Sequence, residues 1–392
     1  MSKEIYSKVE VSFSQLKHYC EEQNFKGWDP YDGLNSRIFQ LSLFKNYYFT
    51  RLAWIQLFRR NPVNLRKILR VNKEHNPKGL GLFLTGYCNY YQISQDINDL
   101  NQIKSLCEII IQSRSMGYSG ACWGYNFDWQ AKAFFQPKFT PTIVATCFIA
   151  NSLLDAYQIT RNEKLLKIAR SSCDFILNDL NRTEKGNNQF AFSYSPIDKS
   201  VIFNASLLGC RLLSRVYSYT KEEELINAAE YVIRFCVSYQ NENGSWSYGT
   251  LAHHQWIDNF HTGYNLEGLI EYENYTKDSS YRKYFNLGLD FYLNNLFTSK
   301  GEPKGFHNNI YPIDIHSTPQ LIVTLYRSGL LNDYENIVNK VLEWTLKNMQ
   351  SPSGYFYYKK GKFIKNKIPY IRWSQAWMFY GLSYYLLNRN DG

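Results

Sequence analysis

Apolar residues recur along most of the chain in two alternating textures. One is a helical pattern with a single apolar face, and the other is a helical pattern apolar on nearly every side. The clearest unit begins at Lys221, where Leu225, Ala228, Ala229, Val232, Ile233 and Cys236 keep the i, i+3, i+4 rhythm of one buried face. NENGSWSYG supplies a turn, with Asn243-Gly244 as its signal. A second, more uniformly apolar helix then runs through Leu266, Leu269 and Ile270. Amphipathic helices near residues 100–112, 165–180, 281–296 and 334–349 are likewise each followed by an aromatic-rich loop and an apolar helix. With Thr140, Asn204, His261, Ser317 and Trp373 as second-helix starts, successive starts lie 64, 57, 56 and 56 residues apart. Upstream, WDPYDGLNSRIFQLSLF (Trp28 to Phe44) and NPKGLGLFLTGYCNYY (Asn76 to Tyr91) read as two further second helices, the latter after a short outer helix near Leu65. The pattern predicts one domain over residues 1–392, with less regular hairpins over 1–97 and five clear ones over 98–392. Six or seven hairpins result.

This alternation implies a geometry. Helices apolar all round, such as Ile143 to Leu154, require neighbours on every side, whereas one-faced helices belong outside them. An inner ring of second helices inside an outer ring of first helices satisfies both. The fold class predicted is therefore all-α, an (α/α)6-7 toroid with short β-hairpin loops at the rim. An open solenoid is the competing packing. Closure is preferred because unusual polar residues recur at one phase of several repeats. In a closed ring the inner helices run parallel and their N-termini meet at one mouth, where free N–H groups and aligned dipoles favour anions.

Composition narrows the class. Of 392 residues, 44% are hydrophobic and 20% charged, with 33 Tyr, 25 Phe and 9 Trp, which suits a protein that stacks ligands on rings. The net charge of +10 is spread along the chain, with its densest cluster at Lys359 to Lys367, KKGKFIKNK, a solvated hairpin or an attractor of anionic substrate or membrane. No nucleic-acid motif is present, so no nucleic-acid partner is expected. The eight cysteines lack metal-ligand spacing and most fall in apolar helices. With no apolar signal core near the N-terminus, this favours a cytoplasmic location. No metal or other cofactor is expected.

The phrases WDPYDGLNS, WGYNFDWQ, TPTIVAT, WIDNFHTGYNLEGL and YPIDIHSTPQ carry a resemblance to the α/α-toroid enzymes of carbohydrate metabolism, namely six-hairpin glycosidases, polysaccharide lyases and glucuronyl C5-epimerases. The chain looks still closer to a group from bacterial capsule and O-antigen gene clusters. The resemblance covers most of the chain and implies action on a glycan or its lipid-linked precursor, with possible peripheral membrane association. It carries no assigned reaction, because fold does not fix chemistry.

Four loops at one phase supply the candidate site. They contribute Trp123, Tyr125, Asp128, Trp129, Gln130 and Lys138; Trp256, Asp258, Asn259, His261 and Tyr264; Asp314, His316 and Gln320; and Tyr370, Arg372, Trp373 and Gln375. Asp29, Tyr31 and Asp32 add to the rim from the N-terminus. Asp128, Asp258 and Asp314 precede helices and equally suit capping. His261 and His316 stand out because each follows an Asp by two or three residues, in register. In one chemistry Arg372 or Lys138 neutralises a uronate, His261 or His316 removes the C5 proton, and Tyr264 or Tyr370 acts as the acid, giving a lyase or an epimerase. In a second, the Asp residues pair as a glycosidase. A third reading is a non-catalytic glycan-binding or scaffold subunit. The acidic-glycan lyase or epimerase is the reading preferred.

Overall fold

A computed structural model of the chain describes residues 3–131, 135–186 and 188–390. Its helices are α1 (Lys3–Glu22), α2 (Arg37–Leu41), α3 (Tyr48–Arg60), α4 (Pro77–Ser94), α5 (Ile97–Gln112), α6 (Ile143–Thr160), α7 (Glu163–Asp179), α8 (Phe203–Thr220), α9 (Glu223–Val237), α10 (Asn259–Thr276), α11 (Arg282–Asn295), α12 (Ser317–Arg327), α13 (Glu335–Met349) and α14 (Trp377–Asn390). Helices α4, α6, α8, α10, α12 and α14 pack each on the next, and α14 packs back on α4, so the ring closes with six inner helices. The solvated sides of α5, α7, α9, α11 and α13 mark the outer ring, which α1 completes beside α13 and α14.

The five downstream hairpins match the sequence pattern within about a turn at each boundary. The N-terminal region does not. Residues 28–44 form no inner helix, because Pro30 and Gly33 interrupt the pattern. A 3-10 turn at Asp32–Asn35 leads instead to the single turn and a half of α2, capped by Ser36. No outer helix forms near Leu65. The outer partner is α1, whose Ile5, Val9, Phe13, Leu16 and Cys20 are all buried. The remaining segment, with α2 and α3, is an excursion that packs on the mouth of the ring.

What closes the ring is charged. Arg211 and Arg215 on α8, Glu267 and Glu271 on α10, Arg327 on α12 and Asp155 on α6 form a buried lattice of three guanidiniums and three carboxylates. Arg215 meets Asp155 at 2.6 Å, Arg327 meets Glu271 at 2.6 Å and Glu267 at 3.0 Å, and Arg211 pairs with Glu267. Helix α4 joins through Thr85, which donates to Asp155 at 2.7 Å, and α14 through Tyr384, which accepts from Arg327 at 2.7 Å. Every inner helix thus supplies a member. Close approach helps: a Cβ at Gly381 would overlap the Pro319 backbone, so α14 and α12 touch there.

The rim carries three small sheets. One pairs β1 (Trp129–Gln130) with β2 (Phe135–Gln136), and another β3 (Arg182–Glu184) with β4 (Phe190–Phe192), both antiparallel. The third orders β5 (Ile313–Asp314), β6 (Lys359–Lys360) and β7 (Lys365–Asn366), so the basic stretch is a hairpin, as expected. Among the described residues one helix, α6, is long and apolar enough to cross a membrane, but it stands in the inner ring with 72% of its residues buried. All eight cysteines are free and buried.

The lattice gives two expectations. Arg327→Leu leaves Arg211 as the one guanidinium facing both Glu267 and Glu271 in the lattice, so a buried carboxylate loses its compensation, and it should cost about 3–5 kcal/mol in urea unfolding. Burial raises the carboxyl pKa values of Asp155 and Glu271, but the guanidiniums outweigh it and hold both below the ordinary range. Their stabilisation is therefore complete above the unfolded carboxylate pKa of about 4 and is lost as pH falls through the folded values. Urea midpoints measured against pH should drop steeply below about pH 4 and be insensitive to these two groups from pH 6 to 8.

Candidate active site

The six inner helices point their N-termini to one mouth, and their first turns place the site. Asp258 caps α10, accepting from the His261 backbone N–H at 3.3 Å, and its carboxylate also holds His261 Nδ1 at 2.8 and 3.0 Å. One residue is thus both the expected cap and the orienter of His261, a role the sequence reading did not assign it. With Nδ1 so fixed, Nε2 is the free nitrogen, on a side chain 20% exposed. This is the arrangement that readies an imidazole as a base, with the carboxylate setting the tautomer.

His316, at the start of α12, is buried and meets the Tyr264 hydroxyl through Nε2 at 2.7 Å. Phe260 lies between the histidines, its ring centroid 4.3 Å from His316 and 4.2 Å from His261. Burial first, then Lys78, His261 and Arg372, push the His316 pKa well below its usual value, so the imidazole is neutral near pH 7. Burial foremost holds the Tyr264 phenol well above its usual value, so it keeps its proton. Asp314 serves as a hub: it accepts from the His316 N–H at 3.1 Å and Trp373 Nε1 at 2.9 Å and pairs with Lys359 at 3.1 Å.

The most unusual group is one the sequence reading missed. Lys78, in the first turn of α4, is buried with its ammonium facing three rings, Phe148 at 4.4 Å, Trp377 at 5.2 Å and Tyr264 at 5.6 Å. Among the described residues no hydrogen bond or ion pair engages it. Burial first, then the Arg372 charge, push its pKa well below normal. In the sequence it sits inside an apolar helix start, NPKGLGLF, where a lone Lys reads as a solvated end. A narrow crevice beside His261 is bordered by Asn204, Tyr248, Trp256 and Asn265. The Oδ1 atoms of Asn204 and Asn265 are buried there without a partner. Tyr248 and Trp256 stack at 4.2 Å.

Arg372 lies on a π-helical turn, Ile371–Ala376, a device that re-aims side chains. It is gripped by Asp29 through two bonds of 2.6 and 2.8 Å, with its guanidinium over Tyr125 and Trp373, so it is a locked cation and not an open clamp. Asp32 pairs with Arg66 at 2.7 Å, and Arg66 also donates to the Tyr370 hydroxyl at 3.0 Å, so Tyr370 and Asp32 brace the rim from beneath. Tyr31 closes on Trp373 at 5.7 Å and Trp129 at 6.4 Å, and Tyr125 meets the Tyr194 hydroxyl at 3.2 Å.

The other candidates are structural or peripheral in this geometry. Asp128 accepts from the Lys138 backbone N–H at 2.8 Å and closes the β1–β2 loop, while Lys138 itself is exposed. Gln130 accepts from Arg51 at 2.8 Å. Trp123 donates to Ile110 O, Asn259 to Leu296 O, and Gln375 brackets the Phe356 backbone. Gln320 lies deeper and donates to Glu267 at 3.1 Å. A continuous run of ring contacts still joins His261, His316 and Arg372 through Phe260 and Trp373, so these residues share one mouth. Among the described residues, no group of three or more His, Cys, Asp or Glu is placed to hold a metal.

No family model matches the chain, and no match to a protein of curated function is found. Solved structures share its fold. An unsaturated glucuronyl hydrolase specific for heparin superposes with a TM-score of 0.66 at 13% identity, covering 99% of this chain and 97% of its own. A sugar epimerase from a ruminal bacterium gives 0.61 at 13% identity, with 80% and 88% covered. A D-mannose isomerase gives 0.59 at 11% identity, with 80% and 87% covered. The chain therefore shares the α/α-toroid fold of these proteins.

An uncompensated buried amine is expensive to the fold and is retained only for use. Lys78→Met should therefore raise the unfolding free energy by about 1 kcal/mol, read by urea unfolding at pH 7. A loss of stability would mean that the amine has a structural partner.

Proposed function

We propose that the protein is a carbohydrate-active enzyme of bacterial surface polysaccharide metabolism that moves protons on an acidic sugar, as a lyase or an epimerase. The observation that carries this reading is the pairing of two proton-transfer units, Asp258–His261 and His316–Tyr264, on either side of one ring beside the unpartnered amine of Lys78. His261 Nε2 takes the proton alpha to the carboxylate, and Asp258 stabilises the imidazolium that forms. The protonated phenol of Tyr264 faces the other unit and gives a proton, either to a departing oxygen or to the opposite face of the same carbon. Neutral His316 holds that phenol by its hydrogen bond.

Removing a proton beside a carboxylate places charge on the carboxyl oxygens, so a cation is needed there. Lys78, whose charged form a bound carboxylate would favour, suits the role better than Arg372, which Asp29 already engages, or Lys138, which faces solvent. The unpartnered Asn204 and Asn265 carbonyl oxygens suit sugar hydroxyl donors, and the stacked Tyr248 and Trp256 suit a sugar face. For the paired-carboxylate alternative the footing is weaker. Asp258 is committed to His261, Asp314 to Trp373 and Lys359, and Asp128 to its own hairpin.

The test is incubation with uronate-containing glycans. An unsaturated, ultraviolet-absorbing product indicates elimination, and solvent deuterium at C5 without cleavage indicates epimerisation. New reducing ends without unsaturation would sink both in favour of hydrolysis, and binding without turnover would favour the glycan-binding reading. For the active reaction, His261→Ala should lower kcat by about 10²–10⁴-fold. Asp258→Asn should cost less than His261→Ala, because the base survives with its tautomer poorly set.

A further inference from the structure

The outward face of the N-terminal excursion is chemically unlike the rest of the surface. Of the nineteen large hydrophobic side chains exposed among the described residues, nine lie between Ile38 and Ile68, and two more, Phe363 and Ile364, tip the β6–β7 hairpin. Leu41, Leu43, Phe49 and Phe363 are each 80% or more exposed. The two groups adjoin, since Asn366 on β7 donates to Asn61 O, just past α3, at 3.2 Å. The solvent side of α3 carries Phe49, Ala53, Leu57 and Arg60 at i, i+4, i+8 and i+11, where an ordinary surface helix would be polar.

Charge is as one-sided as hydrophobicity. Residues 37–73 and 359–367 together hold fourteen of the chain's 44 Lys and Arg and none of its 34 Asp and Glu. The remainder, with 30 basic and 34 acidic residues, is slightly acidic, so the whole positive balance of the protein resides in these two segments. Arg37, Lys45, Arg60, Lys67, Lys362 and Lys367 are exposed among the apolar side chains.

We propose that this face is a membrane-docking surface that seats the protein on a bilayer containing anionic lipid. Protruding apolar chains enter the boundary between headgroups and acyl tails, and the cations around them meet lipid phosphates, the combination by which peripheral proteins lie on membranes. The charge pattern selects this occupant: a folded protein partner would need a matching acidic, apolar surface, whereas an anionic bilayer supplies both halves everywhere. The same excursion walls the mouth of the ring, because Arg59 lies over Tyr31 at 5.4 Å and Arg51 donates to Gln130 at 2.8 Å. Docking therefore brings the mouth to the lipid surface. The proposal stands independently of the reaction, since it rests on exposure and charge outside the site.

Flotation of the full chain with vesicles tests it, using phosphatidylcholine alone and phosphatidylcholine mixed with phosphatidylglycerol. The wild type should bind the mixed vesicles at least about tenfold better than the neutral ones, and less as salt rises. Phe49→Glu combined with Phe363→Glu should lower binding by about tenfold or more with circular dichroism unchanged. Arg60→Glu combined with Lys362→Glu should lower it and flatten its salt dependence. Absence of vesicle binding, or equal binding to both vesicle types, overturns the proposal. So does concentration-dependent self-association, abolished by the Phe49→Glu/Phe363→Glu protein, with no vesicle binding, which would make this face a contact between copies.

Discussion

The lumen of the ring holds three arginines and three carboxylates where most toroid positions are apolar, and the architecture depends on their mutual neutralisation. No member is tolerable alone, since an isolated ion in a low-dielectric interior costs several kcal/mol. The lattice is satisfied only when α6, α8, α10 and α12 stand in the right order at the right depth, with α4 and α14 closing the gap. Hydrophobic burial makes the helices associate, but it is non-directional and would accept other registers. Directed ion pairs supply a reason for one register and for closure.

Closure in turn creates the mouth. Parallel inner helices bring capping residues from distant repeats together, and the cap of α10 becomes the orienter of an imidazole. The rim then separates its cations into two kinds. Arg372, Arg66 and Lys359 each have a carboxylate partner and fix the loops. Lys78 has none and faces rings, so it alone among these is held ready for a ligand's charge. Among the buried amide oxygens without a partner, those of Asn204 and Asn265 are the two that border the crevice beside His261.

The chain also divides its outside. Apart from the β6–β7 tip, the downstream hairpins expose large apolar chains only singly, whereas the segment between α1 and α4 leaves many of them in solvent beside exposed cations. That segment contributes no helix to the six-helix ring. Its role is to wall the mouth and to shape the surface next to it, which explains why it breaks the repeat.

From the sequence alone, the period of about 56 residues and the two helix textures determined the fold class, the five downstream hairpins and the rim on which His261, His316 and Arg372 meet. Those features are legible because periodicity is local and is repeated. Helix α1 was not read from the sequence, although Ile5, Val9, Leu16 and Cys20 carry one-faced spacing, because the helices it packs on, α13 and α14, lie at the far end of the chain where no local pattern reaches. What only the tertiary structure decided is which polar groups satisfy one another. Asp29 takes Arg372, Asp32 takes Arg66, and Asn259 and Gln375 turn to backbone, while Lys78 is left with none. Hydrogen bonds and ion pairs join residues hundreds of positions apart through geometry within a few ångströms, and such pairing leaves no periodic trace along a chain.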